Sequence, residues 1–127
     1  MSGVHVTGVD FVFLPTRSFD AAAAFYGDVL GLECSARYEK IPGGEFETGS
    51  LTLQVVEAEA IGLEFNPAKN PIALHVDDVE AARAELESRG VSFKGETLES
   101  GVCRMAFFED PDGNALVLHH RYAPRAR

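Results

Sequence analysis

Hydrophobic and polar positions follow two rhythms along this chain, and the same succession of rhythms occurs twice. Residues 9–14 (VDFVFL) are β-branched and aromatic, the composition of a strand, and Pro15 closes the run. In SFDAAAAFYGDVLG, the residues Phe19, Ala22, Ala23, Tyr26, Val29 and Leu30 recur at helical spacing behind Ser18, a good N-cap. Gly31 can take the positive φ that stops a helix. Short strands are predicted at 32–39, 45–48 and 51–57, with Gly43 and Gly44 marking a turn in IPGGEF. Residues 58–70 lack a clean period and read as a connector.

The order then returns. Residues 71–76 (PIALHV) form a strand, and Asp77 or Asp78 caps a helix whose buried face is Val79, Ala82 and Leu86. Glu85 and Arg89 stand at i,i+4 on its wet side, and Gly90 stops it. VSFKGETLE, GVCRMAFFE and NALVLHHRY supply three more strands. The pattern is β-α-β-β-β written twice, at a period of roughly 60 residues. One helix cannot cover four strands on both sides. The expected architecture is therefore α+β: one domain over 1–127, with module one at about 7–57, the connector at 58–70 and module two at about 71–122. The two βαβββ modules are related by a pseudo-twofold, and their curved mixed sheets enclose a cleft with the helices outside.

Charge narrows the partners. With 20 acidic and 11 basic residues the chain carries a net charge of −9, which repels phosphate, so no nucleic acid is expected. An acidic surface serves solubility and would also favour a cationic small molecule. No apolar run reaches the length of a membrane span, and the start MSGVHVTGVDF lacks the basic and apolar regions of a signal peptide, so the expectation is no membrane partner and a cytoplasmic location. Cys34 and Cys103 have no metal-ligand or redox spacing and read as free thiols. No nucleophile elbow or phosphate loop is present. In EDPDGN, Pro111 and Gly113 set a turn whose amides Asp110 and Asp112 can bond, a structural use of both carboxylates.

AAAAFYGDVLGLE (21–33), IALHVDDVEAARAEL (72–86) and FFEDPDGNALVL (107–118) together resemble the vicinal oxygen chelate superfamily, which holds glyoxalase I, extradiol dioxygenases and bleomycin-binding resistance proteins. The resemblance spans nearly the whole chain and implies the paired-module fold, a cleft and a homodimer. Metal-using members take ligands from the first, fourth, fifth and eighth strands. Those positions fall here on Phe11, Gln54, Pro71 and Val117, and Gln54 alone has a donor. The expectation is no metal and no cofactor, with a divalent metal left open on another ligand set such as Gln54, His75 and His119.

Strand alternation extends the predicted cleft to Phe11, Phe13, Gln54, His75, Phe107 and His119. Arg104 or Met105 completes it from the seventh strand. Such a cleft suits an organic ligand held by stacking and a few hydrogen bonds. His75 and His119 are the candidate acid–base residues, with a backbone-bonded strand-end histidine as the alternative for each. Glu45 and Glu47 stand near the mouth, as a cation site or a solvated edge. His120 points to the other face, and His5 lies in a lead-in to the first strand. Two functions follow: a metal-independent small-molecule binder, or a lyase, isomerase or dioxygenase using a metal or the histidines. An accessory module is a third.

Overall fold

A computed structural model describes residues 3–125. Its elements are β1 (Phe11–Thr16), α1 (Phe19–Ala23), β2 (Glu33–Arg37), β3 (Gly43–Glu47), β4 (Thr52–Glu57), β5 (Ile72–His75), α2 (Val79–Ser88), β6 (Phe93–Glu99), β7 (Cys103–Glu109) and β8 (Ala115–Arg121). They form two four-stranded mixed sheets, ordered β1-β4-β3-β2 and β5-β8-β7-β6. In each sheet the first and last strands of the module run parallel and the hairpins antiparallel. The registers correspond: Val12 stands opposite Leu53 in one sheet, and Ile72 opposite Leu116 in the other. The doubled pattern of the sequence is thus a doubled structure. Among the described residues, no helix is long and apolar enough to cross a membrane.

Each helix covers one face of its sheet, because period-2 strands and a 3.6-period stripe meet on one apolar side. Ser18 caps α1 by accepting from the Ala21 amide, and Asp78 caps α2 by accepting from that of Ala81. Phe19 and Tyr26 pack on Phe46 at ring separations of 6.3 and 5.8 Å. Val79 and Leu86 are buried with Ala106, Phe108, Leu116 and Leu118 in the same core cluster. Burying a ring such as Phe46 or Phe108 contributes about 3 kcal/mol. One core joins the helix faces of both sheets, so the opposite faces turn away from it.

Three local expectations need correction. The first helix does not stay α: Ala24–Val29 continues as a π-helix, with the Leu30 amide bonded to the Phe25 carbonyl at 2.9 Å. The wider turn lets consecutive aromatics Phe25 and Tyr26 share the buried side. Pro15 lies inside β1 instead of ending it. β1 is an edge strand, where a residue without an N–H is tolerated. Gly43 and Gly44 belong to β3 and not to the turn. A Cβ on Gly44 would stand 2.5 Å from the Ala36 carbonyl oxygen and 2.9 Å from the Phe19 ring, so close packing requires glycine there. The connector itself opens with a 3₁₀ turn at Ala58–Ile61, which leaves its reading as a connector unchanged.

The modules are fastened by the β7–β8 turn. Asp110 accepts from the amides of Asp112 and Asn114 through one oxygen, as its turn position implies. Its other oxygen accepts from the Tyr26 hydroxyl at 2.6 Å. Asp112 accepts from the Thr16 hydroxyl and the Arg17 amide. Asn114, fully buried, donates to the Pro15 carbonyl at 2.9 Å and accepts from the Ala68 amide at 2.7 Å. Module two thereby holds the π-helix after α1, the end of β1 and the connector at once.

Two outcomes follow. Asn114→Ala strands the Pro15 carbonyl and the Ala68 amide, and urea denaturation should show a loss of about 3 kcal/mol. Burial, with Asp110 beside it, pushes the Tyr26 hydroxyl far above the ordinary tyrosine range. The unfolded chain releases that proton first, so this contribution is complete below pH ~10 and is lost as pH rises further. Urea midpoints measured between neutral pH and pH ~11 should fall more steeply for the native chain than for Tyr26→Phe.

Candidate functional site

The sheet face turned away from the helices in module one carries a compact group of side chains. Its geometry follows from the ladder. Phe13, Gln54 and Glu45 form one row across β1, β4 and β3, and Phe11, Thr52 and Glu47 form the next. Adjacent strands lie ~4.8 Å apart, so each row is a continuous strip. Phe11 is 47% exposed, while Phe13, Gln54, Glu45 and Glu47 are half-buried.

Hydrogen bonds fix the polar part. The Tyr38 hydroxyl donates to the Glu45 carboxylate and accepts from Gln54 Nε2 at 3.0 Å. Glu47 accepts from the hydroxyls of Ser35 at 2.5 Å and Thr52 at 2.6 Å. Those two bonds hold the Glu47 carboxyl below its usual range. Desolvation first, and then the bond to Glu45, push the Tyr38 hydroxyl up. The result is an aromatic edge on β1 and, one strand beyond Thr52 and Gln54, two carboxylates on β3 whose positions are set by neutral donors. None of the residues that hold them is a cation, so their negative charge stays available to a ligand.

Module two offers a less polar counterpart. Ala73, Val117, Phe107 and Lys94 make one row, and His75, His119, Met105 and Leu98 the next. Val117 is 3% exposed and Leu98 50% exposed. Lys94 is engaged with Glu109 at 2.7 Å.

The predicted set is therefore divided between two surfaces: Phe11, Phe13 and Gln54 on one sheet, and His75, Phe107 and His119 on the other. Arg104 leaves it. Strand alternation puts Arg104 on the face of β7 opposite Met105 and Phe107, where it pairs with Glu99 at 2.8 Å, and Met105 takes the cleft position. His75 stands beside His119 in the ladder, but its ring bonds to Asp77 at 3.3 Å and lies 5.7 Å from that of His120. The two candidate histidines are thus not brought together as a relay. Sequence reasoning missed Tyr38. A bulge between Cys34 and Ala36 resets the alternation just before it, so face counting along β2 could not find it.

The family's metal positions do not fit a metal ion. Phe11, Pro71 and Val117 offer only hydrocarbon, and Gln54 supplies a single donor, its amide oxygen, while its nitrogen bonds to Tyr38. A divalent ion at a catalytic site takes three or more N, O or S donors from the protein. Among the described residues, no group of three His, Cys, Asp or Glu side chains stands close enough to hold one elsewhere.

Comparison with known proteins agrees with this architecture. The protein SMU.1112c is 26% identical, at a TM-score of 0.75 over 91% of this chain and 100% of its own. A glyoxalase/bleomycin resistance protein from Streptomyces sp. CB03234 is 25% identical, at a TM-score of 0.71 over 89% of this chain and 100% of its own. TnmS3, an antibiotic binding protein from the same Streptomyces strain, shares the fold at 24% identity and a TM-score of 0.76, over 94% of this chain and 99% of its own. No curated protein matches the sequence. A sequence model of the Glyoxalase/Bleomycin resistance protein/Dioxygenase superfamily matches residues 5–118. The paired βαβββ modules and the matched sequence carry one conclusion: this chain belongs to the glyoxalase/bleomycin resistance protein/dioxygenase superfamily.

Proposed function

We propose that the chain binds a small organic cation with a planar aromatic part, and does so without a metal. The observation that carries this is the open face of module one, where Phe11 and Phe13 on β1 face Glu47 and Glu45 on β3 across Thr52 and Gln54. A ring stacks on the phenylalanines, and a positive group meets carboxylates that, among the described residues, pair with no lysine or arginine. The Tyr38–Gln54 pair orients a polar edge of the ligand. The net charge of −9 favours the encounter at long range. That one protein of this fold, TnmS3, is an antibiotic binding protein gives the reading a precedent within the architecture.

A single open sheet face covers a ligand from one side only, whereas small-molecule sites enclose most of their ligand. Pairing two chains supplies the cover: the face of module one from one chain lies against Phe107, Met105 and His119 of another. The active form is then a homodimer with two equivalent clefts. In this reading His119 lines the cleft and carries out no proton transfer.

Titration with proflavine, a planar aromatic cation, tests the ligand class by fluorescence. Saturable binding is expected, weakened about tenfold in Phe11→Ala by the lost stacking and burial. Glu45→Gln should weaken it about fivefold, the worth of a partly exposed ion pair. Affinity that ignores both substitutions, or equal affinity for anthracene sulfonate, would sink the proposal, as would product formation that His119→Ala abolishes. Elemental mass spectrometry of the purified protein should find no stoichiometric divalent metal. Proflavine affinity should be the same with and without EDTA; a metal requirement overturns the metal-free part.

A further inference from the structure

The hydroxyl protons on the open face of module one are already assigned among its own residues. Tyr38 has one such proton, and it goes to Oε2 of Glu45, a carboxylate that only accepts. Toward Gln54 the Tyr38 oxygen can therefore only accept. That fixes the amide: Gln54 turns its nitrogen to Tyr38, at 3.0 Å, and its carbonyl oxygen the other way. In the next row, Glu47 takes the hydroxyl protons of Ser35 and Thr52, one on each carboxylate oxygen. The protons of Ser35, Tyr38 and Thr52 are thus all directed inward.

What remains is a strip of acceptors. Among the described residues, Gln54 Oε1 and Glu45 Oε1 take part in no hydrogen bond, and each Glu47 oxygen keeps a further lone pair. The one donor left among these side chains is the second N–H of Gln54. Gln54 and Glu45 are half-buried and stand directly opposite on β4 and β3, where side chains start about 5 Å apart. Positive charge alone does not satisfy such a strip. Once a ligand covers it, an acceptor that meets no proton bears the full cost of leaving water. A quaternary ammonium brings charge and no proton, whereas a cation with N–H bonds brings both.

We infer that the positive group bound on this face is a planar N–H cation, an amidinium or guanidinium joined to the aromatic part, and that the Gln54–Tyr38–Glu45 chain of hydrogen bonds selects it. The inference rests on the cation reading given above and adds the kind of cation. A planar fork presents two N–H bonds on one side, so it serves Gln54 Oε1 and Glu45 Oε1 together. Phe13 ends the same row on β1, where the attached ring meets it. In this arrangement Tyr38 touches no ligand atom. It is a positioning residue, whose single proton decides which end of the Gln54 amide faces the ligand.

Probes built on one ring separate charge from protons: naphthamidinium, its fully N-methylated form, which keeps the charge and has no N–H, and neutral naphthamide. Calorimetric titration of the full chain should give saturable binding of naphthamidinium, with the methylated cation about thirtyfold weaker and naphthamide weaker still. Gln54→Met, similar in volume and without the carbonyl, should cut the preference between the two cations about fivefold. Tyr38→Phe releases the amide to turn, and should cut the preference by a similar factor while the methylated cation binds as before. A merely structural role for Tyr38 would weaken both cations alike, and that result overturns the selecting chain. Equal affinity of the native protein for the two cations, or a preference that both variants retain, overturns the inference and leaves the cation reading standing. Proflavine binding without naphthamidinium binding does the same. Binding of no cation at all, proflavine included, overturns the cation reading and this inference with it.

Discussion

The fold depends on one buried polar turn. Asp110, Asp112 and Asn114 lie among hydrophobic side chains, where an unpaired carboxylate or amide is costly. Each is satisfied, and the donors and acceptors that satisfy them come from three other parts of the chain: the π-helix after α1, the end of β1 and the connector. Hydrogen bonds of this kind add modest net stability but have strict geometry. They therefore choose one arrangement of the modules among those that hydrophobic contact alone would accept. The apolar core supplies the drive to associate, and the turn supplies the register.

The pseudo-twofold makes the departures from symmetry informative. Where module two has Asp110 bonded to Tyr26, module one has Thr48, whose side-chain hydrogen bonds among the described residues stay within its own turn, to Ser50 and Leu51. The same divergence separates the open faces. One presents phenylalanines and carboxylates held by hydroxyl groups; the other presents Phe107, Met105 and a half-buried His119. A duplicated scaffold has thus placed two chemistries at equivalent positions. Neither half includes the donor set that a catalytic metal would use at those positions.

Much of this was legible from residue order, for identifiable reasons. Helix caps, positive-φ glycines and strand alternation are local, so Ser18, Asp78, Gly31, Gly90 and Gly113 behave as their types dictate. The rows on each sheet face follow from alternation once the ladder is known, which is why Phe11, Phe13 and Gln54 fall together. What stayed hidden depends on distant partners. That Asp110 serves both its turn and Tyr26, far back in the chain, is invisible until the modules dock. The π-turn answers to two adjacent aromatics competing for one core. Gly43 and Gly44 look like a turn because glycine marks both bends and crowded contacts, and Arg104 could be assigned to a face only when its strand gained partners.

The proline in β1 has a wider consequence. Within a strand, the nitrogen and the carbonyl oxygen of one residue point to the same side. The carbonyl of Pro15 is taken by Asn114 from the other module, so both groups lie on the free edge of the sheet. That edge offers an incoming strand no donor at Pro15, and its acceptor is already occupied. Edge strands otherwise template the addition of further chains, one after another. Here the far half of β1 is chemically blunt, so the ladder that would carry a further strand is interrupted at Pro15.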